Sequence, residues 1–383
     1  MEYRLDELFD LQMGKTPSRN NPEYWGSDDY KWISISDLSK CGKYISETKE
    51  CISDLAVTES GISLIPANTV IMSFKLSIGK TAITAESMYS NEAIMSFRDR
   101  HVVDLLPDYI YYMFSGRDWD AGTNKAVMGK TLNKATLSGI RVRIHSLKEQ
   151  REIICLLDKV KKVIDARQEQ LLALDTLIKA RFVEMFGDLR INHLGWKIES
   201  FEDITDLITD GEHATPRRVD KGIYLLSARN VLNHSLQLDD VDYIDQEEYD
   251  RISKRIIPQK GDVLISCSGT VGRCCSVPSG IQFQMVRSAA LLRFKPNVLP
   301  VFAEYMITSD YLQEQINQSK TASSQANLFQ GKIARLEGFV PPIDLQQQFA
   351  AFVCQVDKSK SVVQKSLNEA QLLFDSLMQE YFG

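Results

Sequence analysis

Two stretches of the chain carry apolar residues that are spaced alternately four and three positions apart. The first covers residues 146–187, where only Arg167 and Arg181 interrupt the apolar series. A mean spacing of 3.5 residues predicts one long helix with a coiled-coil stripe. Ser146 followed by Glu149 forms a capping box that would begin this helix. The stripe consists of Ile153, Leu157, Val160, Ile164, Leu171, Leu174, Ile178 and Met185.

The same pattern returns at an offset of 196 residues, the distance from Gly187 to Gly383. Nine identities in one ungapped register, Leu177/Leu373 together with the eight pairs named below, are more than two unrelated amphipathic helices would share, so we interpret the pair as an internal duplication. Each helix is therefore the predicted partner of the other. The second stripe consists of Phe349, Val353, Val356, Val363, Leu367, Ala370, Phe374, Leu377 and Tyr381, with Lys360 as its polar member. The other identities are Gln150/Gln346, Val160/Val356, Lys162/Lys358, Gln168/Gln364, Leu171/Leu367, Glu184/Glu380, Phe186/Phe382 and Gly187/Gly383.

The segments before the two helices repeat each other more faintly. Their β-branched runs, Pro-bounded turns and glycines predict mixed α/β globules made of short strands with some helix. The chain is thus divided into a globule (1–145), a helix (146–188), a second globule (189–342) and a second helix (343–383). The matched positions are Ser73/Ser266, Ser77/Thr270, Gly79/Gly272, Lys80/Arg273, Thr16-Pro17/Thr215-Pro216, Trp32-Ile33-Ser34/Tyr224-Leu225-Leu226 and Tyr112-Met113/Tyr305-Met306.

Composition and charge limit the function classes. The chain is 44% hydrophobic and 25% charged, as in an ordinary soluble protein. Its net charge is −6, and each globule carries 17 basic against 19 acidic residues. A polyanion would therefore have to bind to local basic loops, or to a surface completed by a partner. The acidic N-terminus does not resemble a signal peptide, and seven cysteines without a Cys-x-x-Cys pair suggest a reduced, cytoplasmic protein.

Motifs that could carry catalysis are incomplete. Asn21–Tyr24 imitates the Asn-Pro-Pro-Tyr motif of adenine methyltransferases, but Glu23 replaces the second proline and no glycine-rich cofactor loop accompanies it. Gly-Lys-Thr begins at Gly14, Gly79 and Gly129, yet the positions five residues earlier lack the glycine that a phosphate-binding loop requires. The five histidines have no spacing suited to a metal or a catalytic triad. We therefore expect no catalytic set and no metal site.

The alternating plan resembles that of type I restriction–modification specificity subunits, over essentially the whole chain. DGEHATP at Asp210–Pro216, SGTVG at Ser268–Gly272 and the helix starts at Gln150 and Gln346 carry the resemblance. The first globule departs from the pattern, since it has MGKTP and KLSIG at the corresponding places.

The resemblance implies two target recognition domains of mixed α/β (α+β) fold, separated by an antiparallel two-helix coiled coil and related by a pseudo-two-fold repeat. Each domain would read one half of a split double-stranded DNA site, and the helices would dock two modification subunits. These subunits would supply S-adenosylmethionine chemistry, and two restriction subunits would use ATP and Mg. The chain itself would be a non-catalytic cytoplasmic protein that binds no cofactor and no membrane.

Loop residues of both globules are predicted to contact DNA, because basic side chains hold phosphates while Arg, Asn, Gln, Ser and Thr can also read base edges. In the first globule these residues are Lys15, Thr16, Lys75, Lys80, Lys125, Lys130 and Asn133. In the second they are His213, Thr215, Arg217, Arg218, Arg229, Asn230, Thr270, Arg273, Ser324, Gln325 and Asn327.

The partner-helix interface is predicted to consist of Ile153, Leu157, Val160, Ile164, Arg167, Leu171, Leu174, Ile178, Arg181, Phe349, Val353, Val356, Val363, Leu367, Phe374 and Leu377. The two arginines either set the register of this pair or reach a docked partner helix, and the sequence leaves both possibilities open.

Two other functions compete with the DNA-recognition subunit. A freestanding methyltransferase or restriction enzyme would carry its own recognition domains, but it needs the cofactor loop that the sequence lacks. A coiled-coil adaptor without DNA affinity would not need repeated polar loops in both globules.

Overall fold

The computed structural model describes residues 1–75, 77–119, 132–319 and 327–383. The chain forms two units, one of residues 1–168 and 365–383 and the other of residues 169–364. Each unit therefore consists of one globule and one segment from each of two 40-residue helices. At 1.5 Å per residue, each helix is about 60 Å long.

The globule of the first unit is a set of short strands with short helices between them. Its strands are β1 (Glu2–Arg4), β2 (Phe9–Met13), β3 (Trp25–Ile33), β4 (Tyr44–Ile45), β5 (Glu50–Ile52), β6 (Val70–Ser73), β7 (Thr81–Thr84), β8 (Tyr89–Ser90), β9 (Ile94–Asp99) and β10 (Arg141–Arg143). Its helices are α1 (Leu5–Leu8), α2 (Ile35–Leu38), α3 (Asp54–Ser60), α4 (Pro107–Ser115) and α5 (Lys134–Ser138), and the long helix α6 (Leu147–Phe186) follows.

Within the described residues of this globule, the strands form three sheets. The largest has the order β2-β9-β6-β7-β4, a smaller one has the order β5-β3-β8, and β1 pairs with β10. Strand β6 is buried on both faces, as its continuous apolar run VIM suggests. The main core lies between the large sheet, α4 and the helical segments, where Phe9, Phe97 and Phe114 pack edge to face.

The second unit repeats this arrangement. Its strands are β11 (Ile198–Ser200), β12 (Thr205–Asp210), β13 (Ile223–Leu226), β14 (Val231–Leu232), β15 (Ser235–Leu236), β16 (Asp242–Ile244), β17 (Val263–Ser266), β18 (Cys274–Ser276), β19 (Phe283–Met285), β20 (Ala289–Phe294) and β21 (Glu337–Phe339). Its helices are α7 (Phe201–Ile204), α8 (Gln246–Ser253), α9 (Pro300–Ile307), α10 (Asp310–Ser319) and α11 (Gln330–Ala334), and the long helix α12 (Ile343–Phe382) ends the chain. The sheets have the orders β12-β20-β17-β18, β16-β13-β19, β14-β15 and β11-β21.

The start of α6 confirms the predicted capping box. The backbone N–H of Ser146 donates to a Glu149 carboxylate oxygen at 2.8 Å, and the backbone N–H of Glu149 donates to Ser146 Oγ at 3.4 Å. These two bonds occupy amides that have no partner within the helix. In the described part of the chain, no helix combines the length and the hydrophobicity that crossing a bilayer requires.

Segments of α6 and α12 pack against each other within each unit, and they run antiparallel. In the second unit Asp175 pairs with Lys360 at 2.6 Å, while further along α6 the ring of Phe182 lies 5.4 Å from that of Phe349. The predicted interface residues that are buried are Ile153, Leu157, Val160, Ile164, Ile178, Phe349, Val353, Val356 and Val363. Those that are half-buried are Arg167, Leu171, Leu174, Arg181, Leu367, Phe374 and Leu377.

Both arginines of the stripe have partners inside the chain. Arg167 Nε donates to Ser366 Oγ on α12 at 3.2 Å, within the first unit. Arg181 pairs with Glu184 on its own helix at 2.8 Å, and its guanidinium lies 5.8 Å from the ring of Phe352 on α12. These contacts favour the register-setting interpretation, because each guanidinium is already engaged against the opposite helix.

The end of α6 departs from the predicted stripe. Phe182 and Phe186 are 4% and 0% exposed, although neither belongs to the series that ends with Met185. Both phenylalanines pack on Phe302 of α9, at ring distances of 5.8 and 5.0 Å. Both rings also lie near Phe349 of α12, at 5.4 and 5.6 Å, so the apolar face widens here to contact the globule as well as the partner helix, which a heptad pattern does not describe.

The two globules are joined to their helices by an identical glutamine contact. Gln150 is fully buried; its Oε1 accepts from the N–H of Leu106 at 3.0 Å, and its Nε2 donates to the carbonyls of Asp104 and His145 at 2.9 and 3.0 Å. The side chain of Gln346 makes the same three contacts in the second unit, at 2.8 to 2.9 Å. The duplication seen in the sequence is therefore also a duplication of backbone contacts.

One predicted match between the globules is wrong by one residue. Trp32 and Leu225 each lie two residues before the serine that caps the following short helix, Ser34 and Ser227, so Trp32 corresponds to Leu225 and not to Tyr224. The next turns agree, since the N–H of Ser34 and the N–H of Ser227 each donate to a side chain three residues later at 2.9 Å. The aromatic character shared by Trp32 and Tyr224 misled the alignment, whereas the polar cap fixes the register.

Candidate nucleic-acid interface

Several loops of the first unit leave the large sheet at one end. Strand β2 ends at Met13, opposite Met95 of β9, and β6 ends at Ser73, opposite Ile94 of β9. The loops that follow β2 and β6 and the loop that precedes β9 therefore lie together. We call this set loop face 1, and it consists of residues 14–24, 74–75, 77–80 and 91–93.

The second unit has the same loop set. Strand β12 ends at Asp210, opposite Ala290 of β20, and β17 ends at Ser266, opposite Ala289. The corresponding loops, which we call loop face 2, consist of residues 211–222, 267–273 and 286–288.

The first loop of each face begins with a glycine that lies close to the backbone of a neighbouring strand. A Cβ atom on Gly14 would lie 2.2 Å from the carbonyl oxygen of Ser90, and one on Gly211 would lie 2.3 Å from that of Met285. Only a residue without a side chain allows this backbone approach. The first loop of both faces is therefore held against the strand beside it at equivalent positions.

The matched serine and glycine positions of the two globules make the same hydrogen-bonded turn. The N–H of Gly79 donates to the carbonyl of Ser73 at 2.9 Å, and the N–H of Gly272 donates to that of Ser266 at 2.9 Å. Both glycines have left-handed backbones, with φ of 87° and 92°. The side chains that follow these glycines, a lysine and an arginine, consequently emerge at equivalent places on the two loop faces.

Lys15 and Thr16 lie on loop face 1. Lys15 Nζ donates to the carbonyl of Ser60 at 2.6 Å, and the Thr16 hydroxyl donates to the Glu92 carboxylate. That hydroxyl is the main cause of a lowered pKa of Glu92, and the nearby charges of Lys75 and Arg19 lower it further. The carboxylate remains charged and screens part of the positive potential of this face.

Lys75 and Lys80 also lie on loop face 1, whereas Asn133 lies outside it. Lys75 Nζ is 5.2 Å from the Phe74 ring, and Lys80 Nζ donates to Ser39 Oγ at 2.6 Å. Asn133 begins α5, where its side chain accepts from the N–H of Thr136 at 2.8 Å. Asn133 is exposed but already used as a helix cap.

Arg19 is a residue of loop face 1 that the sequence prediction missed. Its guanidinium lies 3.7 Å from the centre of the Trp25 ring and 5.2 Å from that of Trp32. Both of its terminal nitrogens donate to the Glu50 carboxylate, at 2.7 and 3.0 Å, and this pairing lowers the pKa of Glu50. The side chain is half exposed yet held in one orientation. Its position in Thr-Pro-x-Arg, repeated as Thr215–Arg218, was the signal that could have revealed it.

Arginines with carboxylate partners dominate loop face 2. Arg217 pairs with Asp245 at 2.6 Å and with Glu247 at 2.9 Å, while Arg218 Nε donates to Asp242 at 3.0 Å. The pairing with Glu247 and Asp245 raises the pKa of Arg217, which stays charged. All of these arginines are substantially exposed, so their guanidinium groups are open to a ligand.

Arg229 and His213 extend this charged surface. Arg229 also contacts Asp242, at 3.1 Å, so one carboxylate serves two guanidinium groups. His213 Nε2 lies 2.7 Å from Asp210, whose other oxygen accepts from Arg255 at 2.8 Å. Burial alone would raise the pKa of Asp210, but these two hydrogen bonds outweigh it and the pKa is lowered. Arg255 was not predicted, because it follows α8, outside the loops.

Three further residues of the prediction lie on or near loop face 2. Thr215 and Thr270 are exposed, and the Thr270 carbonyl accepts from Ser266 Oγ at 2.7 Å. Asn327 forms a β-bridge with Ser268 and is half-buried. The two threonine hydroxyls are thus available for hydrogen bonding to a ligand.

The predicted DNA contact at Asn230 is wrong. Asn230 is 1% exposed, and its amide donates to the carbonyls of Gln237 and Asp240 at 3.0 and 2.9 Å. The residue is a buried cap and cannot reach a ligand. Arg273 also has a structural contact, since Nη2 donates to the Ala228 carbonyl at 3.0 Å and the side chain is half-buried.

Four predicted residues lie outside the described part of the chain. These residues are Lys125, Lys130, Ser324 and Gln325.

The described loop faces combine guanidinium, ammonium and hydroxyl donors with carboxylates that orient them. Such donors suit phosphate and base-edge contacts, since arginine can bond two acceptors at once. Because the carboxylates cancel much of the charge, these faces are suited to oriented hydrogen bonding more than to unspecific attraction.

Curated relatives resemble the chain at modest identity. It is 23% identical over 380 residues to the type I restriction enzyme EcoprrI specificity subunit of Escherichia coli, which covers 92% of this chain and 86% of that protein. It is 25% identical over 202 residues to the MjaIX specificity subunit of Methanocaldococcus jannaschii, covering 52% of this chain but only 45% of that relative.

Solved structures share the fold over the whole length. The S subunit of a type I restriction–modification system from M. genitalium superposes with a TM-score of 0.55 at 13% identity, covering 100% of this chain and 96% of that one. A chain from a structure describing assembly and conformational transition of the type I R-M system gives a TM-score of 0.60 at 16% identity, covering 100% and 97%.

The family model for the type I restriction modification DNA specificity domain matches the chain twice, at residues 1–174 and 195–372. The two matches together cover most of the sequence, and each contains one globule with its loop face. The chain belongs to the type I restriction–modification DNA specificity family.

Proposed function

We propose that the chain is the DNA-recognition subunit of a type I restriction–modification complex, in which each globule reads one half of a bipartite site in double-stranded DNA. The observation that carries this proposal is the repetition of one loop face in two units of different sequence. Gly14 and Gly211 enter these faces in the same way, and Ser73 and Ser266 build the same turn. A duplicated donor surface matches a target that is itself divided into two parts.

Recognition would combine two kinds of contact. Lysines such as Lys15 and Lys80 would hold phosphates and set the register, while oriented arginines and threonines would read base edges in the major groove. The near-neutral charge of both globules makes the chain alone a weak, salt-sensitive DNA binder. Partner subunits would complete the positive surface around the duplex.

The long helices would dock two modification subunits. Large apolar side chains remain exposed on α6 and α12, among them Leu172 at 68%, Val362 at 71% and Leu372 at 72% exposure. Apolar residues on exposed helix faces favour packing against further helices. The modification subunits would bring S-adenosylmethionine, and two restriction subunits would bring ATP and Mg, so this chain would bind no cofactor and act in the cytoplasm.

Catalysis by the chain itself is disfavoured by its one methyltransferase-like motif. The side chain of Asn21 accepts a hydrogen bond from the N–H of Glu23 at 3.1 Å, inside a short 3₁₀ turn. Tyr24 donates to Glu59. The side-chain oxygen of Asn21 is therefore occupied by the turn, and the Tyr24 hydroxyl by a neighbouring helix.

The proposal is tested by expressing the chain with and without its modification subunits in a methylation-free host and mapping methylated adenines across the genome. We expect methylation at one bipartite motif only when the chain and the modification subunits are present together. Methylation by the purified chain alone would establish a freestanding enzyme. Unchanged methylation when the chain is omitted, or no DNA binding by the assembled complex, would favour an adaptor role.

A further inference from the structure

An ion pair recurs at one position of both loop faces. Arg19 follows Thr16 by three residues, and Arg218 follows Thr215 by three residues. Arg19 pairs with Glu50, the first residue of β5, and Arg218 pairs with Asp242, the first residue of β16. The two arginines thus have the same place in their loops and the same kind of partner.

Strand pairing shows that the two carboxylates are structurally equivalent. Glu50 lies opposite Trp32 of β3, and Asp242 lies opposite Leu225 of β13, at the position that corresponds to Trp32. In each unit the strand that carries the carboxylate is followed by a helix, α3 or α8. The sequences around these elements differ greatly, so the same ion pair occurs in two different surroundings.

Stability alone does not account for this recurrence. The side chains of Arg19 and Arg218 are 50% and 47% exposed. Exposed ion pairs of this kind contribute only about 0–1 kcal/mol to folding. What the carboxylate does provide is orientation, because it fixes a guanidinium that would otherwise sample many rotamers.

Each pairing leaves one edge of the guanidinium with two donors. Both terminal nitrogens of Arg19 donate to Glu50, so the edge formed by Nε and a terminal nitrogen remains free for two further hydrogen bonds. Stacking on Trp25 fixes the plane of the guanidinium group. Asp242 takes Nε of Arg218, so the terminal nitrogens stay open. In the described part of the chain, neither open edge meets a further carboxylate. Two parallel donors match the O6 and N7 acceptors of guanine in the major groove.

We infer that Arg19 and Arg218 are the equivalent base-reading residues of the two globules, each contacting a guanine at the corresponding position of its half-site. The inference rests on the proposed DNA-recognition function and adds the residue and the base. Glu50 and Asp242 are positioning residues, since they act on DNA only through the arginines they orient.

The test uses the full chain with its modification subunits and measures methylation at the cognate site and at all single-base variants of both half-sites. Arg19→Lys keeps the charge but removes the two-donor edge. We expect it to lower discrimination at one guanine of the first half-site about 10- to 100-fold, and to leave the second half-site unchanged. Arg218→Lys should do the converse.

Matched controls replace arginines whose exposed ion pairs lie outside the loop faces. Arg4 pairs with Asp6 in the first unit and Arg190 pairs with Asp188 in the second, with exposures of 45% and 47%. Arg4→Lys and Arg190→Lys should leave base discrimination at both half-sites unchanged. Glu50→Gln should relax the same base position as Arg19→Lys, but less strongly, because the arginine is present and merely less well oriented.

The outcomes separate this inference from the proposed function. A wild-type complex that methylates no bipartite site removes the proposed function itself. If the wild type methylates a bipartite site but Arg19→Lys weakens binding equally on all sequences, then Arg19 is a phosphate contact. That result overturns the inference. Unchanged discrimination in both lysine variants, or relaxation at a base other than guanine, overturns it as well.

Discussion

Replacing the buried Gln150 with methionine should destabilise the first unit. The change keeps a side chain of similar length but removes the hydrogen bonds at 3.0, 2.9 and 3.0 Å that join α6 to Leu106, Asp104 and His145. These three contacts are partly buried, so each backbone group left without a partner costs about 1 kcal/mol, the low end of the range for buried groups. Loss of all three partners therefore predicts a decrease of about 3 kcal/mol in the free energy of unfolding.

Thermal unfolding of the full chain measures this effect. A loss of that size lowers the midpoint of the affected transition by about 6–12 °C for a unit of this size. Gln346→Met should do the same in the second unit, since its amide makes the same three contacts and is 0% exposed.

Gln347 provides the control, because it follows Gln346 directly and its side chain is exposed. Gln347→Met should change the free energy of unfolding by less than about 0.5 kcal/mol. The reasoning is refuted if Gln150→Met and Gln347→Met unfold at the same temperature, which would mean that the three contacts do not hold the helix to the globule.

Three further predictions follow from other features. Gly211→Ala forces a backbone clash, whereas the added Cβ of Gly331→Ala meets nothing within 4 Å. Gly211→Ala should therefore lower the free energy of unfolding by about 1–3 kcal/mol more than Gly331→Ala, and the denaturant midpoints should differ accordingly. Hydrogen bonds from Ser146 lower the pKa of Glu149 below its ordinary 4.5. Wild type should therefore lose stability as the pH falls from 4.5 through that lowered pKa, and Glu149→Gln should lose less stability over the same range. Inserting four helix-forming residues after Gln168 adds about 6 Å to α6. The gap between the methylated half-sites should then widen by about one or two base pairs, at about 3.4 Å each. An unchanged gap in an active complex would mean that the helices do not set the spacing.

The sequence was most informative where structure depends on local chemistry. The spacing of apolar residues predicted α6 and α12, and Ser146 with Glu149 predicted the start of α6. The Ser73 and Ser266 turns could be matched because a left-handed glycine is required in each.

Contacts over long sequence distances were not predictable in the same way. Gln150 was recognisable as a repeated residue, but its partners at Leu106 and Asp104 are backbone groups more than forty positions away. Phe186 lies outside the heptad series because it packs on Phe302 of the globule as well as on Phe349 of α12. In each case the tertiary partner decides the role of the side chain.

The loop faces show the same limit. Exposure could not be inferred for Asn230, whose polarity suggested a ligand contact although the residue is a buried cap. Arg19 was overlooked because its stack on Trp25 and its pair with Glu50 form only after β3 and β5 have paired. Polar character alone does not distinguish a cap from a ligand-binding residue.

The division of recognition between two globules is tested most directly by exchanging residues 1–145 for the same segment of a relative with a different target. The hybrid is expressed with the modification subunits, and methylated adenines are mapped across the host genome. The account predicts that one half of the bipartite motif changes while the other half and the gap remain. A motif that changes in both halves, or in neither, would contradict it.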